Sequence, residues 1–367
     1  VVPGTYAIQQ GTVANSNYNI SYTGALLTIN QLAVTVTADA KSKTYGQVDP
    51  GLTFVSVPAV GDVLANGEVI TFTGALSRVA GEAVGTYAIQ QNTVANSNYN
   101  ISYTGALLTI NQLAVTVTAD AKTKFCGQVD PPLTFVSSPA VGTVLANGEI
   151  IGFTGTLSRV AGEGVGFYNI LNGSLTNLNY AITYVGARLE ILGVTIDASA
   201  SSVPVPVGTS ATLRATVSPA VAGVSVNLRV TNEANVVIFN QTVTTDANGQ
   251  VTATVPSSSL VLGVYMVVAT AGSGCATSTA YIPVFDASGS FVTGGGWIWS
   301  PAGALTSDAS VVGKANFGFV SRYRKGSSQV DGNTEFQFNA GNINFKSTFH
   351  ETGSLVISGR RATYRGS

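Results

Sequence analysis

Apolar and polar side chains alternate with a period of two through almost the whole chain. Leu32 to Ala38 reads LAVTVTA, Thr71 to Leu76 reads TFTGAL, and Asn100 to Ile110 reads NISYTGALLTI. A period of two sends successive side chains to opposite faces, so these segments are predicted as half-buried β-strands, and helix signals are nearly absent. Turn signals separate the strands at Ala65-Asn66-Gly67, Ala146-Asn147-Gly148, Ala247-Asn248-Gly249, Asp49-Pro50 and Asp130-Pro131. Short strands at this spacing predict an all-β chain of β-sandwiches in series, Ig-like or Greek-key in type, forming an elongated rod.

The pattern itself is copied. Val84 to Asn111 reads VGTYAIQQNTVANSNYNISYTGALLTIN, Pro3 to Asn30 is nearly the same string, and Tyr6, Tyr87 and Tyr168 fall one 81-residue period apart. The predicted organisation is the C-terminal part of a repeat at 1–30, repeats at 31–112 and 113–193, a different sandwich at 194–285 and an aromatic-rich module at 286–367. Val1 enters the unit two thirds of the way through, so the expectation is that upstream residues or another chain complete the first sandwich. Leu107 to Asn111 runs through Gln112 straight into Leu113 with no Pro/Ser/Gly linker. A connection of one or two residues restricts hinge motion and predicts a stiff array. Copied modules supply length, valency or assembly rather than one reaction centre.

Composition narrows the class. The chain is 45% hydrophobic but only 10% charged, against roughly 25% charged in ordinary soluble proteins. Its surface is therefore neutral and rich in hydrogen-bonding groups, which favours lateral or end-to-end self-association into fibres or arrays. No dense Lys/Arg stripe exists for nucleic acid, and no apolar run approaches the roughly 20 residues that span a bilayer. Cys126, Cys275 and His350 are the only cysteines and histidine, too few for a zinc or thiolate centre. No cofactor is expected; acidic groups near junctions leave calcium between modules open, but no spacing demands it. Scarce Cys and Lys with abundant Thr, Asn and Gly fit a secreted bacterial surface protein that does not depend on disulfides.

Specific strings then carry resemblances. LAVTVTADAKSKTYGQVDP (Leu32 to Pro50), Gly74-Ala75-Leu76-Ser77-Arg78, Gly81-Glu82, Val84-Gly85-Thr86-Tyr87 and Asn98-Tyr99 resemble the MBG domain of the YGX type, found in tandem in large bacterial surface and adhesin-like proteins. The match recurs at Leu113 to Ile191, departing where Phe125-Cys126-Gly127 replaces Thr44-Tyr45-Gly46. The resemblance implies a stalk or matrix role without a known active site. Thr245 to Val251 followed by Gly263 to Ala269 resembles bacterial immunoglobulin-like domains of the invasin and intimin type. Its Gly263-Val264-Tyr265 string is written like a tyrosine corner, in which the phenol bonds upstream backbone. From Phe291, the strings Gly294-Gly295-Gly296-Trp297-Ile298-Trp299 and Gly313 to Tyr323 resemble an aromatic-rich C-terminal module of secreted bacterial proteins, whose chain continues past a motif like Tyr364-Arg365-Gly366.

Each candidate for chemistry has a plainer reading. Asp39, Asp49, Glu68 and Glu82 recur as Asp120, Asp130, Glu149 and Glu163. Paired carboxylates do acid–base work, but a catalytic pair copied into every repeat is implausible, so turn, cap and edge-strand roles are expected. Asp246-x-Asn248-Gly249 opens like a calcium loop yet lacks the bidentate Glu, and reads as a hairpin turn. Cys126-Gly127-Gln128 suggests a thioester, but its companion is Tyr45-Gly46-Gln47. Because Cys126 and Cys275 fall in different predicted domains, free or intermolecular thiols are expected rather than a mutual disulfide, which needs Cα atoms within about 7 Å. Trp297 and Trp299 share a strand face, and with Tyr323 they are candidates for glycan contact, although a core role competes. Asn19, Asn100, Asn172 and Asn240 open N-glycosylation patterns of the kind chance supplies in such a chain.

The expected function is structural: the shaft of an extracellular bacterial adhesin, or the subunit of a filament or sheath. The alternative is a binder of polysaccharide or host surface, with residues 286–367 as the binding module and the repeats as spacer. No enzymatic activity is expected.

Overall fold

β-Branched residues on alternating positions set the strands. In Leu32–Ala38, Val34, Val36 and Ala38 are buried while Ala33 and Thr35 are exposed. A computed structural model describes residues 2–286, 291–325, 327, 329–358 and 361–367. The backbone divides into two compact units, one of Val1–Ala119, Phe135–Leu157 and Asn172–Val185, the other of Asp120–Thr134, Ser158–Leu171 and Gly186–Ser367.

In the first unit, the first full repeat is a two-sheet sandwich. One sheet orders its strands Phe54–Val57, Leu32–Ala38, Tyr99–Thr104, and the other Lys41–Thr44, Ala106–Asn111, Gly85–Gln90, Ser77–Arg78. The Leu32–Ala38/Tyr99–Thr104 and Lys41–Thr44/Ala106–Asn111 pairs are parallel, so the repeat is not a simple meander. Val34, Val36, Ile70 and Tyr99 fill one part of the core, and Ala38, Leu76, Ile89, Val94 and Leu108 the other. Phe54, Phe72 and Tyr99 link edge to face through it. Such rings bury large areas and prefer this geometry.

The second repeat reproduces both strand orders: Phe135–Ser138, Leu113–Ala119, Tyr180–Val185 in the first unit, and Lys122–Phe125, Ala187–Leu192, Gly166–Leu171, Ser158–Arg159 in the second. Upstream, Gly4–Ala7 pairs with Leu26–Ile29 in the register that Gly85–Gln90 and Ala106–Asn111 use. There, however, Tyr18 is 72% and Leu27 53% exposed, while their copies Tyr99 and Leu108 are 8% and 0%.

The second unit also holds a three-stranded sheet (Thr195–Asp197, Ala211–Ser218, Gln250–Val255) and a five-stranded one (Val205–Pro206, Ala276–Phe285, Gly263–Ala271, Ser225–Thr231, Val237–Thr244). Leu213, Val217, Val226, Leu228, Val255, Val267 and Ile282 pack between them. The Tyr265 hydroxyl donates to Val261 O at 3.2 Å and accepts from Val261 N at 2.9 Å, the tyrosine-corner bond to upstream backbone. Asp246 Oδ1 accepts from the amides of Asn248 and Gln250, and Gly249 takes φ +73°, so this segment is a hairpin turn. Phe291–Ser300, Gly313–Tyr323, Val330–Phe338 and Ile343–Lys346 form an antiparallel sheet in that order, and Val356–Ser358 pairs antiparallel with Arg361–Thr363. Among the described residues no helix is long and apolar enough to cross a membrane.

Candidate functional site: the module junctions

The Tyr-Gly loop after Lys41–Thr44 leaves its own sandwich and enters the next one. Tyr45 is 5% exposed. Its hydroxyl donates to Glu149 Oε2 at 2.9 Å, and its ring meets the Tyr180 ring edge-on at 5.9 Å. Gly46 takes φ +86°, a region costly for side chains, and a Cβ there would lie 2.3 Å from Leu145 Cδ1. Its carbonyl accepts from Asn147 N at 3.0 Å. On the same junction Asn147 Nδ2 donates to Glu82 Oε2 at 2.9 Å, and Val84 N donates to Asn179 Oδ1 at 3.0 Å. The Ala146-Asn147-Gly148 turn is thus also a socket.

Removing Tyr45 from water and placing the Glu149 carboxylate beside it raise the phenol's pKa to about 12. One repeat earlier, the counterpart of Asn179 Oδ1 is the buried Asn98 Oδ1, which has no hydrogen-bond partner among the described residues. The residue one period before Val84 is Pro3, which carries no N–H to donate.

Behind each Tyr-Gly or Cys-Gly loop lies a charge cluster. Lys43, only 5% exposed, donates to Asp49 Oδ1 at 2.7 Å and Glu82 Oε2 at 2.6 Å. Arg78 bridges the same carboxylates, at 2.5 Å to Asp49, and its guanidinium lies over the Tyr87 ring. The second repeat copies this with Lys124, Asp130, Arg159 and Glu163. Arg78 holds the Asp49 carboxyl below its ordinary range, and Lys43 does the same for Glu82. Turn and edge roles therefore do not describe Asp49, Glu82, Asp130 and Glu163: the carboxylates neutralise a buried lysine, which an unpaired charge there would make costly. Sequence reading missed Lys43, Arg78 and their copies, although their identical offsets in the two repeats were a usable signal.

The next junction, inside the second unit, uses other residues. Cys126 stands where Tyr45 stands one period earlier, and it is disulfide-bonded to Cys275 with Cα atoms 6.4 Å apart. The expectation of free or intermolecular thiols is corrected. Cys275 lies in the tight turn between Gly263–Ala271 and Ala276–Phe285, and that turn sits directly against Gly127. Gly272, at φ +58°, leaves only 2.9 Å between its missing Cβ and Cys126 Sγ. Gly127 O accepts from Ser225 N at 2.9 Å, as Gly46 O does from Asn147 N, and Gln128 Nε2 donates to Ala222 O at 2.7 Å. Phe125 packs against the core of the following sandwich. Phe125-Cys126 replaces Thr44-Tyr45 where the next module is no longer a repeat.

Residues 34–109 and 115–190 each match the MBG domain (YGX type). The chain therefore carries two tandem stretches that match this domain, and Tyr45-Gly46 lies in the first of them. No curated protein matches the sequence significantly. Solved structures that match include the I9–I11 tandem of titin, at 13% identity and TM-score 0.30 over 69% of this chain and 100% of that one. A tetra-tandem repeat from the extending region of a large adhesion protein matches at 15% identity and TM-score 0.28, over 91% and 98%. The Yersinia pseudotuberculosis adhesin InvE matches at 17% and 0.26, over 54% and 70%.

The aromatic candidates separate. Trp297 is 48% and Trp299 62% exposed, with Lys314 Nζ 4.4 Å from the Trp297 ring centroid, so neither is core. Tyr323 is half-buried, and its hydroxyl donates to Leu355 O. It belongs to the internal scaffold, not to a surface with the tryptophans.

Proposed function

We propose that this chain is a load-transmitting segment of an extracellular, adhesin-like bacterial surface protein. The observation that carries the reading is the junction: the loop of one module is seated in the next, by Tyr45 on Glu149 and Tyr180 and then by Cys126 on Cys275. Buried seats of this kind give each link a fixed geometry, which a spacer needs and a soluble single-site catalyst does not. A disulfide between modules also favours an oxidising compartment, and the sparsely charged surface suits contact with neighbours. In intact cells of the source organism, antibody against residues 31–193 should label the surface, and external protease should remove the label. Labelling only after lysis would overturn the proposal.

A second reading places a glycan contact on Trp297 and Trp299, favoured by their joint exposure. Polysaccharide binding by the full chain, abolished in Trp299→Ala with unchanged melting, would support it; no retention on any polysaccharide column would remove it. Self-association draws support from the sparsely charged, hydrogen-bonding surface. It is tested by sedimentation, where a concentration-independent monomer would end that part of the reading.

A further inference from the structure

We infer that the Cys126–Cys275 disulfide is a clamp that takes residues 127–274 out of the path of force when the chain is pulled from its two ends. The inference uses the proposed load-bearing role only for its biological purpose; the clamp itself follows from connectivity.

Coming from the N-terminal side, the chain enters the second repeat at Leu113–Ala119, continues through Lys122–Phe125 and reaches Cys126 immediately afterwards. On the far side, Cys275 directly precedes Ala276–Phe285, the strand that leads out to the C-terminal module. The bond joins positions 149 apart in sequence. Tension arriving at Cys126 passes through sulfur to Cys275 and leaves along Ala276–Phe285. Most of the second repeat and most of the following sandwich hang on a closed loop that carries no load. At about 3.3–3.6 Å per extended residue, the loop withholds roughly 500 Å of contour length.

The preceding junction is held by noncovalent contacts: the Tyr45 hydrogen bond and aromatic contact together with the hydrogen bonds of Gly46, Glu82 and Val84 to the next module. Load there falls on contacts that can open and close again. The two junctions thus divide the work: the Tyr45 link yields reversibly, and the Cys126 link does not yield until its bond is reduced. Reduction transfers two electrons from a dithiol to the S–S bond, giving two protein thiols and the reductant's own disulfide, and it converts the withheld loop into extensible chain. Cys126 is fully buried and Cys275 partly accessible, so attack comes at the Cys275 sulfur.

The full chain, tethered at both ends, is stretched singly in an optical trap or force microscope. Without reductant, extension should stop roughly 500 Å short of the fully extended length, while unfolding of residues 32–111 adds roughly 270 Å in every condition as an internal control. Dithiothreitol, or Cys126→Ser, should restore the missing length. Should Cys126→Ser fail to fold, adding dithiothreitol to an already tethered wild-type molecule makes the same comparison. Equal contour lengths with and without reductant, or two alkylatable thiols by intact mass in oxidatively purified protein, would overturn the clamp. The cell-surface test can fail while the clamp stands, and the reverse also holds.

Discussion

Cys126 occupies the place in the second repeat that Tyr45 occupies in the first, and both side chains are buried in the module that follows. One position serves as the connector of each repeat, and its residue is matched to the neighbour. Glu149 and Tyr180 receive a phenol, whereas Cys275 receives a thiol.

Tyr45→Phe removes a hydrogen bond to a carboxylate and keeps the ring contact. It should cost about 1–2 kcal/mol, read as a lowered urea midpoint for the first repeat. Tyr45→Ala also empties a buried aromatic site and should cost about 3–5 kcal/mol, splitting one unfolding transition of the paired repeats into two.

Alkaline pH should loosen the same junction. The folded Tyr45 pKa stands at about 12 against an ordinary value of 10. Folding therefore favours the neutral phenol, and its contribution is complete below pH 10 and lost as pH rises from 10 through 12. In Tyr45→Phe the stability loss across that window should be smaller than in wild type, measured by urea unfolding at stepped pH.

Gly46→Ala should be far more damaging than Gly67→Ala, although both glycines have positive φ, +86° and +83°. Around Gly67 a Cβ meets open space, and the backbone term alone predicts about 1 kcal/mol. At Gly46 the new methyl runs into Leu145, and the total should exceed about 3 kcal/mol. Equal melting points for the two variants would show that the loop is not seated.

Acid should weaken the charge clusters of both repeats. Asp49, Glu82, Asp130 and Glu163 have pKa values lowered by their arginine and lysine partners. Their stabilisation is fully present above the ordinary carboxylate range and is lost as pH falls through the lowered folded values, below about pH 4. Asp49→Asn should cost about 1–3 kcal/mol at neutral pH, because Asp49 is partly solvated while Lys43 is not. Because Glu82 also accepts from Asn147, acid should loosen the first junction along with the cluster, seen as earlier hydrogen exchange at Asn147.

The repeat, its strands and its turns were legible in the chain because they depend on neighbours in sequence. Period-two alternation in Leu32–Ala38 dictates which side chains face inward, the Asn-Gly pairs at Asn66, Asn147 and Asn248 mark where the chain turns while the Asp-Pro pairs do not, and Gly263-Val264-Tyr265 announced the bond from Tyr265 to Val261. Even the departure at Phe125-Cys126 was visible, though not its meaning. What the sequence determined by itself was therefore a series of all-β modules and the period at which they recur. The tertiary structure alone decided what those modules do to each other: that Tyr45 reaches Glu149, that Lys43 lies buried between carboxylates, and that Cys126 meets Cys275 across a separation of 149 residues. These contacts join positions whose spacing follows no local periodicity, since loops at a module's end are brought beside the next module only after both sandwiches have closed.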